Sequence, residues 1–397
     1  MKRTTSDHPT GNPVARALRL TFLLLGWLML IGGCRRAPTV SAPSGLEPIR
    51  LGEFSSLTGP LAGLGQYTHM GVVLAMEQIN AAGGIGGRPI EVIAEDTSSK
   101  AGTAAPLVRK LISRDHVVAI IGEGASGRCL EGAYVAQGAG VPLVSPAATD
   151  PQVTAVGDCI FRVCYTDPFQ GTVVAKFIRQ NLGLRRVGLL VDTGSSYSVG
   201  LVDFFRKRFL ADGGEIVGEQ RYTAGDKDFR GQLTALKALR PDAIFAPCYF
   251  GEAALILRQA RELGIEVPLL GGDGWEAPEL VEIAGSAAEG AMFPVHFSVS
   301  STAESSRRFV DQFTARFHKA PTGVSALGYD ALQLIADSIR RAGSTESPAI
   351  REALRTTRGW TGITGEISLD EERNARKPAT IVRVEKGQLT FVCTVTP

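Results

Sequence analysis

The sequence predicts an α/β protein of two lobes, each a mainly parallel sheet flanked by helices. Three observations carry that expectation. From Pro48 onward, short β-branched runs alternate with amphipathic helical stretches, the signature of parallel strands covered on both faces. The alternation restarts after Asp167-Pro168-Phe169. The chain has 397 residues, and at roughly 100–200 residues per domain that length accommodates two.

Residues 49–54 read as a first strand. Over 71–81, Val72, Ala75, Met76 and Ile79 keep the spacing of one buried helix face. A strand over 90–94, a helix over 103–113 and a strand over 117–121 follow, and a helix ending over 135–138 precedes the apolar run at 142–145. Residues 161–163 read as a further strand. In the second half, a helix over 171–181 precedes a strand over 187–191, and a helix over 199–210 precedes a strand over 215–217. A helix over 229–239, a strand over 243–246, a helix over 253–263 and a strand over 268–270 come next. Helices over 305–317 and 326–341 would complete one lobe or the other; the pattern does not say which.

The N-terminus carries Lys2, Arg3, Arg16 and Arg19, an apolar stretch over 20–31, then Gly32-Gly33-Cys34. A basic region, a short apolar core and small residues describe a secretory signal over 1–33. Ile31-Gly32-Gly33-Cys34 resembles a lipoprotein cleavage box. The alternative is an uncleaved anchor, although a span takes about 20 apolar residues. Cleavage would leave a lipidated Cys34 and a flexible tether over 34–46, rich in Pro, Ser and Ala. The expected location is extracytoplasmic, in the periplasm or at the cell surface, with the membrane reached through the lipid alone. Arg35 supplies no retention acid, which favours an outer membrane where the cell has two.

Without residues 1–33, Lys plus Arg falls from 42 to 38 and Asp plus Glu from 40 to 39, a net charge of −1. The basicity belongs to the signal, and no basic run interleaved with aromatics supports nucleic-acid binding. Cys129, Cys159, Cys164, Cys248 and Cys393 remain, an odd number. A Cys129–Cys159 bond and buried free thiols both stay open. His69, His116, His296 and His318 are scattered singly, so neither a metal nor a cofactor is expected.

Five polar sites sit just past apolar runs: Ser126, the Pro146-Ala147-Ala148-Thr149 turn, Tyr197, Tyr249 and Asp273. The carboxyl ends of strands are where ligands bind in α/β sheets. Hydroxyls and backbone N–H groups at a helix start suit a carboxylate, and a buried acid suits an ammonium. Together these residues read as a site for an α-amino acid. Each also has a purely structural reading. Ser126 and Thr149 could cap helices, the tyrosines could fill a core, and Asp273 could serve a turn. Gly122-Glu123-Gly124-Ala125-Ser126-Gly127 matches a dinucleotide fingerprint. The strand that follows ends at Ser145-Pro146 instead of an acid, which argues against a nicotinamide site.

Longer segments carry a resemblance. Phe54-Ser55-Ser56-Leu57-Thr58-Gly59-Pro60, Ile79-Asn80-Ala81-Ala82-Gly83-Gly84-Ile85-Gly86-Gly87 and Ser145-Pro146-Ala147-Ala148-Thr149 belong to it. So do Phe161-Arg162-Val163, Ala224-Gly225-Asp226-Lys227-Asp228-Phe229, Leu257-Arg258-Gln259-Ala260-Arg261 and Gly271-Gly272-Asp273-Gly274-Trp275. From about Glu47 to Val392 the chain resembles the leucine/isoleucine/valine-binding protein family, type I periplasmic solute-binding proteins of ABC importers. The resemblance implies a clamshell joined by three crossovers, near Asp167, Phe297 and Glu372. One lobe would comprise 47–166 plus 297–372, the other 167–296 plus 373–397. It further implies that Ser126 and Thr149 take the ligand carboxylate. The Ala147 carbonyl, the Thr149 hydroxyl and Asp273 would receive the ammonium, while Tyr197 and Tyr249 close over the ligand. Leu64 stands where branched-chain binders often carry an aromatic, and Asp273 is one methylene shorter than the usual Glu. Leu64, Phe250 and Trp275 would line an apolar side-chain pocket.

The implied function is capture of a branched-chain or other uncharged amino acid by a monomer that delivers it to an ABC permease. A sensing receptor subunit of the same fold, or a binder of an amide, urea or aromatic acid, stands beside it. An enzyme is not expected, because neither Gly-x-Ser-x-Gly nor a Cys with an organised His appears.

Overall fold

The computed structural model describes residues 46–301 and 303–396. The expected signal, Cys34 and the tether up to residue 45 lie outside the described residues. The first sheet has five parallel strands: β1 (Ile49–Ser55), β2 (Ile90–Asp96), β3 (Ala119–Ile121), β4 (Leu143–Ser145) and β5 (Ile160–Arg162). Their order is β2-β1-β3-β4-β5. The second sheet takes β6 (Arg186–Asp192), β7 (Glu215–Tyr222), β8 (Ala243–Phe245), β9 (Leu269–Leu270) and β10 (Met292–Val295) in the order β7-β6-β8-β9-β10. A small antiparallel sheet holds β11 (Trp360–Gly362), β12 (Gly365–Leu369) and β13 (Ala375–Arg376). Then β14 (Ala379–Glu385) joins β10 antiparallel, and β15 (Gln388–Val395) forms the edge of the second sheet.

Successive strand residues point to opposite faces, and the sequence uses that period. Ile120, Leu143 and Ile160 pack with Val108, Leu111 and Ala133 on one face of the first sheet. Ile121, Val144 and Phe161 join Val72, Leu327 and Leu334 on the other. In the second sheet Leu189, Phe245 and Leu270 meet Phe205 and Phe209, while Leu190, Ile244 and Leu269 meet Leu233 and Leu257.

Several elements differ from the sequence reading. The helix expected over 71–81 runs over Ala62–Ala81, because Gly63, Gly65 and Gly71 interrupt the apolar repeat that would reveal it. Gly71 lets this helix press against helix Gly323–Ala342: a Cβ there would lie 1.9 Å from the Ser325 carbonyl oxygen. The helix expected from Gly171 begins at Asp167 with Pro168 in its first turn, a position that suits proline; a π turn follows over Phe177–Asn181. The sequence pattern does not reveal helices Pro278–Ala284 and Ser347–Arg355 or strands β10 to β15. Strands as short as β11 and β13 carry too few residues to show a period. Helices Glu304–Phe317 and Gly323–Ala342 pack on Ala62–Ala81, beside the first sheet.

The chain passes between the two halves three times. The first passage lies between β5 and Asp167, the second between β10 and Glu304. The third lies at Lys377-Pro378, beyond the expected Glu372, because β13 still pairs with β12. Cys129, Cys159, Cys164 and Cys248 are buried free thiols, and Cys393 is a half-buried one. Among the described residues no helix is long and apolar enough to cross a membrane.

Candidate functional site

Strand order reverses between β1 and β3 in the first sheet and between β6 and β8 in the second. Such switch points open a crevice at the carboxyl ends of the strands. The loops there meet around one cavity, lined by Leu64, Ser126, Ala147, Thr149, Tyr197, Tyr249 and Asp273 together with Thr68, Gly124, Gly274 and Val324.

Ser126 opens helix Ser126–Ala139, whose first N–H groups have no intrahelical partner. Its hydroxyl accepts the Asp150 N–H at 3.3 Å and so keeps its own hydrogen to donate. The turn bearing Ala147 and Thr149 rests on Arg162, a fully buried guanidinium. Arg162 donates from Nη1 to the Ala148 carbonyl at 2.6 Å and from Nη2 to the Asp150 carbonyl at 2.7 Å. Ser145 Oγ accepts the Ala148 N–H at 3.0 Å. Sequence reasoning quoted Arg162 only as part of a motif; an arginine inside a strand that ends beneath a polar turn was the available signal.

Tyr197 and Tyr249 start the helices after β6 and β8, and their rings stack with centroids 5.3 Å apart. Burial pushes the Tyr249 hydroxyl pKa up, and the Arg128 charge opposes it. The Tyr197 hydroxyl donates to Asp273 Oδ1 at 2.9 Å and accepts the Gly274 N–H at 3.1 Å. Gly272 makes room for it, since a Cβ there would lie 2.2 Å from that oxygen.

Asp273 is 8 % exposed and already engaged. Besides Tyr197, Gln170 Nε2 donates to Oδ1 at 3.0 Å, and His296 Nε2 lies 2.9 Å from Oδ2. Gln170 Oε1 also accepts the Asp273 N–H at 2.8 Å. Asp167 stands nearby, its carboxyl raised well above the ordinary range by burial and then by the Asp273 charge. Gln170 and His296 escape the sequence reading; a polar Gln170 on the same helix face as the apolar Val173 and Val174 is the one cue.

Two expected residues fall elsewhere. Trp275 is fully buried. Its indole N–H donates to the Ala246 carbonyl at 3.0 Å and its ring packs 6.0 Å from Phe293, so it belongs to the core of the second sheet. Phe250 is buried in the same core and does not line the cavity. Leu64 does, and Val324 and Thr68 supply the rest of that wall. One end of the cavity thus presents hydroxyl and backbone donors, another a carboxylate, and the wall between is apolar or aromatic. Such a surface can hold a zwitterion by both charges. Among the described residues no cluster of His, Cys, Asp and Glu could hold a metal. The Cys129 and Cys164 thiols are pushed up to about 12 by burial, which makes poor nucleophiles of both.

Comparison with known proteins places this geometry among relatives. The family model described as periplasmic binding protein matches residues 48–388. The leucine-, isoleucine-, valine-, threonine- and alanine-binding protein of Pseudomonas aeruginosa is 29 % identical over 82 % of this chain and 87 % of its own length. Among solved structures, the leucine-binding protein LivK of Thermotoga maritima superposes with a TM-score of 0.85 at 37 % identity, covering 88 % of this chain and 99 % of that one. The branched-chain amino acid transporter substrate-binding protein LivJ of Streptococcus pneumoniae, in complex with isoleucine, gives 0.84 at 34 % identity, covering 88 % and 100 %.

Proposed function

The chain belongs to the periplasmic binding protein family, and from that premise we propose that it captures an uncharged, apolar α-amino acid between its lobes and delivers it to an ABC importer. The observation that carries the reading is the position of Asp273, a nearly buried carboxylate on the same cavity as Ser126 and Thr149. The ligand carboxylate docks on the Ser126 hydroxyl, the free N–H groups of its helix and Thr149. Its ammonium meets Asp273 and the Ala147 carbonyl, and its side chain lies against Leu64, Val324 and the tyrosine rings. Charge-assisted bonds of this kind are the strong ones. A ligand without the ammonium would leave Asp273 desolvated and unpaired, a loss of about 3 kcal/mol or more.

The lobes of this reading are 47–166 plus 297–372 and 167–296 plus 373–397; the pairing of β13 with β12 supports counting residues 373–376 with the first. Ligand contacts from both lobes favour the closed arrangement, so capture is a population shift. A lipid on Cys34 would tether a monomer outside the cytoplasmic membrane, within reach of its permease. Homologues bearing amino-acid names support the substrate class; the apolar cavity wall supports the side-chain preference.

Thermal unfolding against the twenty amino acids and their 2-oxo and des-amino counterparts tests the reading. A ligand at about a thousand times its dissociation constant adds roughly 4 kcal/mol, a readily measured shift. Selective stabilisation by leucine, isoleucine or valine is the expected outcome. Stabilisation by the des-amino acids alone would overturn it.

A further inference from the structure

We propose that His296 is a positioning residue for the ammonium subsite: it holds one oxygen of Asp273 with a neutral N–H and leaves the carboxylate's charge for the ligand. This rests on the amino-acid reading above and adds the group that makes Asp273 selective. A carboxylate offers about four acceptor sites. Oδ1 has two filled, by Tyr197 at 2.9 Å and Gln170 at 3.0 Å. Oδ2 has one filled, by His296 Nε2 at 2.9 Å. One site on Oδ2 is left for a ligand ammonium. Three neutral donors fix the acid without cancelling it, whereas a Lys or Arg at position 296 would already have paired it.

The protonation of His296 follows from its surroundings. Its side chain is 1 % exposed, and Nδ1 has no partner. With a carboxylate at Nε2 and nothing at Nδ1, the single proton of a neutral ring sits on Nε2. Burial lowers the His296 pKa; Asp273 opposes this, and the Lys377 charge lowers it further. Tyr165 covers the ring face, stacked at 3.8 Å. Asp273, Lys377 and Tyr165 are the titratable groups that face the imidazole, and only Asp273 favours the cation.

The location matters as much as the chemistry. Tyr165 lies on the first chain passage between the lobes, His296 on the second and Lys377 on the third. The support of the ammonium subsite is therefore built where the lobes join.

The test is calorimetric titration of the purified full chain and two variants with L-leucine and with 4-methylpentanoate, which lacks the ammonium. At about pH 7.5, His296→Leu should weaken leucine binding at least roughly tenfold and leave 4-methylpentanoate nearly unchanged, so the ratio between the ligands narrows. His296→Gln keeps an N–H donor and should hold leucine within about threefold of the unaltered protein. Because burial holds the imidazole below its ordinary pKa of 6.5, the unaltered chain should lose leucine affinity only on acidification below about pH 6.5, as the ring gains a proton, and His296→Gln should lose this limb. Melting curves of each variant report folding separately. An unchanged ligand ratio in His296→Leu, or an acid limb that persists in His296→Gln, overturns the assignment alone. An unaltered chain that binds 4-methylpentanoate and no amino acid sinks the underlying reading as well.

Discussion

Glu276, directly after the short turn Asp273–Trp275, accepts the backbone N–H of Gly323 at 2.6 Å. Gly323 opens the helix that packs beside the first sheet, so this buried bond joins the two halves beside the cavity-lining Gly274 and Val324. The helix N-terminus favours a carboxylate there, but Glu276 is 4 % exposed and its second oxygen has no partner. Burial wins: the pKa is pushed up to about 8, with the Gly323 bond opposing and the Asp273 charge adding. The raised value means that the folded form holds a proton which the unfolded chain releases. The contribution is complete below the ordinary glutamate range and is lost as pH rises through about 8. Glu276→Gln, which imitates the protonated acid, should flatten the melting temperature across that window and raise stability at its alkaline end by about 1 kcal/mol or more. Thermal scans from acid to mildly alkaline pH check this.

Asp273 and Asp167 oppose one another electrostatically within the buried wall. Asp273→Asn keeps the size of the side chain and removes its charge. Leucine affinity should fall at least roughly a hundredfold, while the ligand-free protein melts at the same temperature or slightly higher, because Asp167 no longer faces a like charge. Binding isotherms and melting curves on one preparation separate the two effects. Equal losses in both would mean that Asp273 is a structural acid.

Much of this arrangement was legible because it is local. Ser126, Thr149, Tyr197, Tyr249 and Asp273 each follow a short apolar run, and a strand delivers its next residues to the same edge of the sheet every time. What stayed hidden depends on segments far apart in the chain. Val324 reaches the cavity wall only because Gly71 lets two helices nearly touch. His296 reads as a solitary histidine until β10 is placed beside β9. Trp275, directly after Gly274, is equally free by sequence to face the cavity or the core, and the bare backbone of Gly271 decides it: a Cβ there would lie 2.1 Å from the indole. The β14–β15 hairpin lacked the strand–helix alternation by which the rest was read.

Gly272 is fixed by the hydroxyl that passes over it. An added methyl would lie 2.2 Å from Tyr197 Oη and 2.7 Å from Gln170 Oε1, so Gly272→Ala must displace both partners of Asp273 Oδ1. Overpacking of this kind costs about 1–3 kcal/mol. The expected result is a lower melting temperature together with weaker leucine binding, since the acid loses its hold. Retained affinity would show that Tyr197 and Gln170 do not orient Asp273.

Arg162 supports the opposite end of the cavity. Its guanidinium takes the Ala148 and Asp150 carbonyls, and Nη2 also reaches Thr154 Oγ1 at 3.2 Å. Those contacts shape the turn that presents the Ala147 carbonyl and the Thr149 hydroxyl. Arg162→Met fills much of the same space but removes both guanidinium bonds, leaving the Asp150 carbonyl with the Val153 N–H at 3.1 Å and the Ala148 carbonyl with the weak Cys164 thiol donor at 3.4 Å; the lost bonds cost about 1–3 kcal/mol. Arg162→Lys keeps the charge but offers a single ammonium where a planar fork bridged two carbonyls, so it should not restore the turn. Both variants should melt earlier than the unaltered chain. Both should also lose affinity for leucine and for 4-methylpentanoate, leucine the more, because the Thr149 hydroxyl serves the carboxylate that the two ligands share while the Ala147 carbonyl serves the ammonium of leucine alone. The loss of 4-methylpentanoate binding distinguishes Arg162 from His296, whose replacement should leave that ligand nearly unchanged. Calorimetry with the same ligand pair checks it, and undiminished binding of 4-methylpentanoate would show that Arg162 does not shape the carboxylate subsite.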